Sequence, residues 1–502
     1  MKMERCSTDA AELSQAALHS ESKIYKEIKQ AIRTKLRGFE YRTLLKELAE
    51  YLKPQKITRQ ATMLRFPWVA ERLALWALQD EPQLYGHTLM LSSDVVDLVN
   101  IALQATDRAD LWMDSKIPLP LFFRQASLAQ IPHQIPSNIG AFARQIDLAK
   151  RLGGNCKCRQ YLESRLKMSL EDYLQLALIF WCNASTPAKL LTPEFIKFLE
   201  TRFSKKLVGA FLDRLITEQE CLSVDLQSAS ADEWFQTNVL CQFPFVRYRS
   251  EVYSWGAPPL YRHLEFTFAN LAAEAEDDGI RLELNEAFER YVGESLRRNG
   301  QPTFGEKQIS SRFALQGSKC CDFAQIYEDC VILVEAKNKA LSASVPTFGA
   351  TKRYRAKLRK TVMKAAIQIN NVAGHIRKFS EFDERPIYGV VITNDDLLLG
   401  QADFLFEQLD SRVAPFVLSI DELDRLIESC RLGKCSFGSF FADVLSRREG
   451  YGSKIFAPAQ LLREEPYRVE YRSGHLVELW EEIHKKFEQR PDLAESEAAT
   501  AI

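Results

Sequence analysis

Net charge of either sign is missing from this 502-residue chain, in which 66 Lys and Arg stand against 67 Asp and Glu for a formal total of -1. The balance excludes a surface coated in positive charge for indiscriminate polyanion binding, although a neutral total can average over strong local fields. Long hydrophobic runs are missing as well. The longest apolar stretch in a helical pattern, around Tyr173 to Cys182, is interrupted by Gln175 and reaches only about half of the roughly 20 residues a membrane span needs. The opening Met-Lys-Met-Glu-Arg-Cys-Ser-Thr-Asp turns polar at once and lacks the apolar core and small-residue cleavage site of a signal peptide, so a cytoplasmic protein with no membrane partner is expected. There is no C-x-x-C pair among the eleven cysteines. With no His at ligand spacing, neither a disulfide framework nor a zinc site is expected, and Cys156, Cys158, Cys320, Cys321 and Cys330 read as buried free thiols. Repeats and low-complexity tracts are absent, and 46% apolar residues exclude intrinsic disorder.

What is present divides by texture. Residues 1–235 read as mostly helical, as in Tyr41–Leu52 and Trp68–Leu78, where apolar residues recur three and four apart. Pro-interrupted segments at 117–121 and 131–136 punctuate them. Trp68, Trp76, Trp112 and Trp181 fit a helical core better than a ligand cage. Residues 236–280 change to short strands and a helix, and 281–450 form a mixed α/β unit. Residues 451–502 read as a C-terminal extension with a helix and a small, acidic, frayed tail.

The chemistry concentrates in Cys320-Cys-Asp-Phe-Ala-Gln-Ile-Tyr-Glu-Asp-Cys-Val-Ile-Leu-Val-Glu-Ala-Lys337. Two β-branched and aromatic runs flank a polar turn at Glu328-Asp329, which predicts a hairpin. That turn sets Tyr327 opposite Cys330, Ile326 opposite Val331 and Asp322 opposite Glu335, and alternation puts Lys337 on the same face as Glu335. Directly opposed carboxylates repel unless a cation lies between them. Mg²⁺ or Mn²⁺ is the expected occupant, held by Asp322 and Glu335 with the backbone carbonyl of Ala336 as a further ligand, since Mg²⁺ is commonly bound by one or two carboxylates and keeps several waters. Glu-x-Lys also occurs at Glu21–Lys23 and Glu27–Lys29, but only here does it end a run that is apolar on both faces, Val331–Val334, as a central strand requires.

Acids are then missing from Ala336 to Ser380, while eleven cations accumulate. Lys339, Lys352, Arg353, Tyr354, Arg355, Lys357, Arg359, Lys360 and Lys364 are the expected nucleic-acid contacts, the bases neutralising phosphates and Tyr354 stacking on a base. An amphipathic helix from about Ala356 to Phe379 points Leu358, Val362, Ala365, Ala366, Ile369, Ala373 and Ile376 inward.

An Asp, a short turn and an apolar strand ending in Glu-x-Lys resemble the PD-(D/E)xK nuclease superfamily, over roughly residues 281 to 430. The resemblance implies a restriction-endonuclease-like αβββαβ core. Leu282–Arg297 resembles its first helix, with Leu284, Phe288, Tyr291, Val292 and Leu296 as the apolar stripe and Glu289, or Glu286 one turn earlier, as the helix-borne acid. Gln368 stands where related nucleases sometimes place a Gln, although a lone Gln on a helix also suits a surface. Cys321 stands where the motif's name has Pro. The implied activity is metal-dependent phosphodiester hydrolysis, with water as nucleophile, Lys337 assisting and Glu289 tuning the site or holding a second ion. DNA is the favoured substrate, in a bacterial defence enzyme active against phage. RNA including tRNA, a catalytically inactive nucleic-acid-binding protein and a helical scaffold remain the alternatives, and a homodimer is compatible with all of them.

Overall fold

The computed structural model describes residues 25–53, 65–108, 133, 139–225, 239–315, 317–338, 358–397, 413, 415–450, 458–470 and 473–488. They form a mixed α+β protein with two small sheets set among helices. No helix of the described residues is long and apolar enough to cross a membrane.

Helix α1 (Tyr41–Leu52) starts where the Glu40 carboxylate accepts from the Thr43 N–H at 2.7 Å, and it buries Tyr41, Leu44, Leu45, Leu48 and Leu52. Helix α2 (Pro67–Gln79), with Pro in its first turn, is buried on nearly every side. These helices, α3 (Ser92–Arg108) and a three-stranded sheet share one core around Leu44, Trp76, Val246 and Trp255. In that sheet β1 (Ile216–Glu218) runs parallel to β2 (Phe245–Tyr248), which pairs antiparallel with β3 (Glu251–Ser254).

A larger core does not follow the expected boundary at residue 235. Helices α4 (Ile139–Arg151), α5 (Lys157–Leu166), α6 (Leu170–Cys182) and α7 (Pro193–Leu215) pack in one hydrophobic cluster with α8 (Ala257–Glu274), α9 (Asp278–Arg297) and one face of the second sheet. Polar groups reinforce the junction. On α4, Gln145 donates to the Leu264 carbonyl and accepts from the Phe268 N–H, and Asp147 accepts from the Ser473 hydroxyl at 2.8 Å. The cause is that α6 is apolar over a wide arc and α4 buries polar as well as apolar side chains, so both need partners on more than one side.

The second sheet has strand order β4 (Thr303–Gly305), β5 (Phe323–Ile326), β6 (Val331–Lys337), β7 (Ile387–Thr393), β8 (Pro415–Ser419). Strands β4, β5 and β6 are antiparallel neighbours; β7 and β8 continue parallel to β6. The β5–β6 register pairs Phe323 with Val334 and Ile326 with Val331, as the polar turn predicts. Strand β6 is central and buried on both faces. Ile332 and Val334 face Phe288 and Val292 of α9, with α12 (Ile420–Arg431) and α13 (Phe437–Gly450) beside them. Val331 and Leu333 face α10 (Glu306–Arg312) and α11 (Lys364–Ile376). A last helix, α14 (Gly474–Glu488), returns to α4 and α6.

The helix expected over 356–379 begins differently. From Leu358 the chain makes a π turn at Arg359–Met363 before α11, and all seven residues expected inward are buried. Arg377 ends the helix by donating to the carbonyls of Phe382 and Asp383. Of the four tryptophans, Trp76 and Trp181 are buried, Trp68 is half-buried and Trp112 lies outside the described residues.

Gly293 lets α9 lie against β5, because a Cβ there would stand 2.7 Å from the Phe323 ring. Gly293→Ala should therefore lower stability by about 1–3 kcal/mol through overpacking, despite the better helix propensity of Ala. Gly209→Ala, on the exposed side of α7 with nothing near a new Cβ, should raise it by roughly 0.5–1 kcal/mol. Urea denaturation of both variants checks the contrast.

Candidate active site

The site lies where β5 begins and β6 ends. Continuing the β5–β6 register by one residue sets Asp322 opposite Glu335, and alternation turns both, with Lys337, toward the face covered by α11. The groups are locked together. The Asp322 N–H donates to Glu335 Oε2 at 3.1 Å, the Ala336 N–H donates to Asp322 Oδ2 at 2.7 Å, and Lys337 is ion-paired with Glu335 Oε1. In a strand a residue's N–H and C=O point to the same neighbour, so the Ala336 carbonyl also faces the Asp322 side. Glu335 is 1% exposed, whereas Asp322 and Lys337 are half-buried and reach solvent.

Burial raises the Glu335 carboxyl well above the usual carboxylate range, and the Asp322 charge adds to this, against the pull of Lys337. Asp322 is raised by burial too, offset by Lys337 and the Ala336 N–H. Glu289 rises from α9 at the edge of this group. Its residue surface is largely open, yet its carboxyl is shielded enough to be raised, first by desolvation and then by the charge of Asp322. Glu286 instead faces solvent and pairs with Arg290 at 4.0 Å.

One acid was not foreseen. The β4–β5 register, Gly305 opposite Phe323, carries one step further to Glu306 beside Asp322, and Glu306 disfavours ionisation of both Asp322 and Glu289. Its only signal is a three-residue edge strand, too short to read by periodicity. Gln368 is also more than a surface residue. It donates to the Cys320 carbonyl at 2.8 Å, and Asn371 donates to the Lys319 carbonyl at 2.7 Å, so α11 straps the segment entering the site. Beyond Lys337, Asn394 donates to Asn338 Oδ1 at 2.9 Å, while Arg144 of α4 donates to the Asn394 carbonyl.

Of the expected nucleic-acid contacts, Lys360 and Lys364 are exposed, one turn apart, on the helix over the face that carries Asp322 and Glu335. Lys339, Lys352, Arg353, Tyr354, Arg355 and Lys357 lie outside the described residues, as does the side chain of Arg359. Cys158, Cys320, Cys321 and Cys330 are buried free thiols and Cys156 is half-buried.

Among the described residues no group of three or more His, Cys, Asp or Glu converges as a metal cluster. The donors at hand are two opposed carboxylates and one backbone carbonyl. That set suits a hard divalent cation that keeps most of its waters.

No family model, curated protein or solved structure matches the chain.

The raised Glu335 carboxyl has a consequence for stability. The folded state disfavours its ionisation relative to the unfolded chain, so this group's contribution is complete below the unfolded carboxylate range and is lost as pH rises through the folded value. In chelator, the Tm of the wild type should fall from about pH 5 to about pH 8, and Glu335→Gln should flatten that fall. Thermal melts across this window are the check; identical slopes in the two proteins would show that Glu335 is not the source.

Proposed function

We propose that this chain is a divalent-metal-dependent nuclease with a restriction-endonuclease-like core, centred on Asp322, Glu335 and Lys337. The observation that carries the reading is the register-opposed carboxylate pair at the end of a central strand, with Lys337 ion-paired to it. Two opposed carboxylates answered by a single ammonium leave room for a divalent cation, which scaffolding alone would not require. The order α9, β4, α10, β5, β6, α11, β7, which is αβββαβ with one short helix inserted after the first strand, supports the same reading.

Asp322 and Glu335, with the Ala336 carbonyl, would hold the Mg²⁺ or Mn²⁺. When bound, that ion supplies the positive charge that lowers the pKa of a water and offsets charge on a scissile phosphate. Lys337 places its ammonium beside Glu335, where it can orient the attacking water and stabilise the extra negative charge of the transition state. Glu289 and Glu306 keep the rim acidic and can accept a proton from water. Lys360 and Lys364 neutralise phosphates along the approach, and the cations of 339–357 extend this basic path in sequence. DNA is the substrate assigned by likeness to the superfamily.

Asp322→Ala and Lys337→Ala should each reduce Mg²⁺-dependent nicking of supercoiled plasmid by at least about 10²–10³-fold, with unchanged circular dichroism. Unaltered cleavage by both variants would sink the assignment, and parallel lanes of single-stranded DNA and tRNA, with and without EDTA, decide the substrate class. A Lys360→Ala/Lys364→Ala double variant should weaken binding uniformly across sequences. Its salt dependence, log K against log salt, should be shallower by about 2.

A further inference from the structure

The far end of α12 carries a feature that the nuclease reading does not use. The helix ends in a Schellman turn, in which the Gly433 N–H donates to the Cys430 carbonyl at 2.9 Å and the Lys434 N–H to the Ser429 carbonyl at 3.0 Å. Gly433 provides the left-handed residue, at φ +69°. The turn reverses the chain and returns Cys435 beside Cys430, with the sulfurs 3.7 Å apart and both residues half-exposed. Because the backbone holds the turn, the sulfurs meet without help from flexible side chains elsewhere. Cys435 also lies 3.4 Å from the hydroxyl of the buried Ser429.

The environment makes the two thiols unequal. Contact with Cys430 holds the Cys435 thiol below the ordinary thiol range, and Ser429 adds to this; Cys430 is raised by the same contact and by burial. Cys435 therefore ionises first, and the Ser429 hydroxyl can turn to donate to the thiolate. Two thiols are too few for a closed zinc site, which takes four ligands.

We infer that Cys430 and Cys435 form an oxidation site that closes to a disulfide on reaction with a hydroperoxide. The Cys435 thiolate attacks the peroxide, forming an S–O bond as the O–O bond breaks and an alkoxide or hydroxide leaves. Cys430 then attacks the sulfenic sulfur, forming the S–S bond, breaking the S–O bond and releasing water with the Cys430 proton. Two thiols and one hydroperoxide give one disulfide, one alcohol or water, and one water.

The test uses the full chain, reduced and then exposed to hydrogen peroxide, with N-ethylmaleimide blocking remaining thiols before tryptic mass mapping. Trypsin cuts after Arg425, Arg431, Lys434 and Arg447, so closure joins peptide 426–431 to peptide 435–447, about 2 Da lighter than their sum and separated again by dithiothreitol. In Cys430→Ser, the same treatment should stop at a sulfenic acid on Cys435 that dimedone captures. The inference is overturned if both cysteines stay maleimide-labelled while the exposed Cys182 and Cys221 oxidise, or if Cys435 passes to sulfinic or sulfonic acid in the wild type without linkage. None of these readouts depends on nuclease activity.

Discussion

The burial of Glu335 is the constraint around which the five-stranded sheet is arranged. A carboxylate with 1% of its surface exposed must have its lone pairs met and its charge answered, or it will stay protonated. The chain meets this demand with one backbone N–H from the neighbouring strand and one ammonium two residues along its own strand. The first of these partners exists only if β5 and β6 keep their register. A slip by one residue would turn Asp322 and Glu335 to opposite faces and put hydrophobic side chains in their place. The hydrophobic alternation that builds the sheet and the electrostatics that build the site therefore select the same pairing.

That agreement explains why the hairpin could be read from sequence. A polar two-residue turn between β-branched runs fixes the register arithmetically, and runs apolar on both faces fix β6 as central. The stripe of α9 and the inward face of α11 were legible for the same reason, because burial on one side leaves a periodic trace. Glu306 left none, since its place depends on a three-residue strand pairing across a helix start. Asn338, Asn394 and Arg144 are far apart in the chain, and polar contacts between distant loops carry no period. The π turn before α11 likewise changes the hydrogen bonding without changing which residues are apolar.

The halves divided by sequence texture are less separate in space. Texture follows local secondary structure, whereas the cores follow which apolar faces meet. Helices α4 to α7 are as helical as α1 to α3, yet they close the core of the five-stranded sheet, while the first three pack with β1 to β3. Buried polar residues mark this seam. Arg144, Gln145 and Asp147 are three near-consecutive side chains on α4, each bonded to a different later element.

The bond from Arg144 to the end of β7 bears on how such a chain can be cut and recombined. Because α4 to α7 supply one wall of the sheet's core and a hydrogen bond beside its business end, residues 281–450 are not a cassette that can be moved to another protein intact. A fragment starting at the texture boundary would leave the apolar faces of α8 and α9 open to water and the Asn394 carbonyl without its guanidinium. A cut just upstream of Ile139 would fail as well, because α1 to α3 share their core with β1 to β3 and would leave Val246 and Trp255 uncovered.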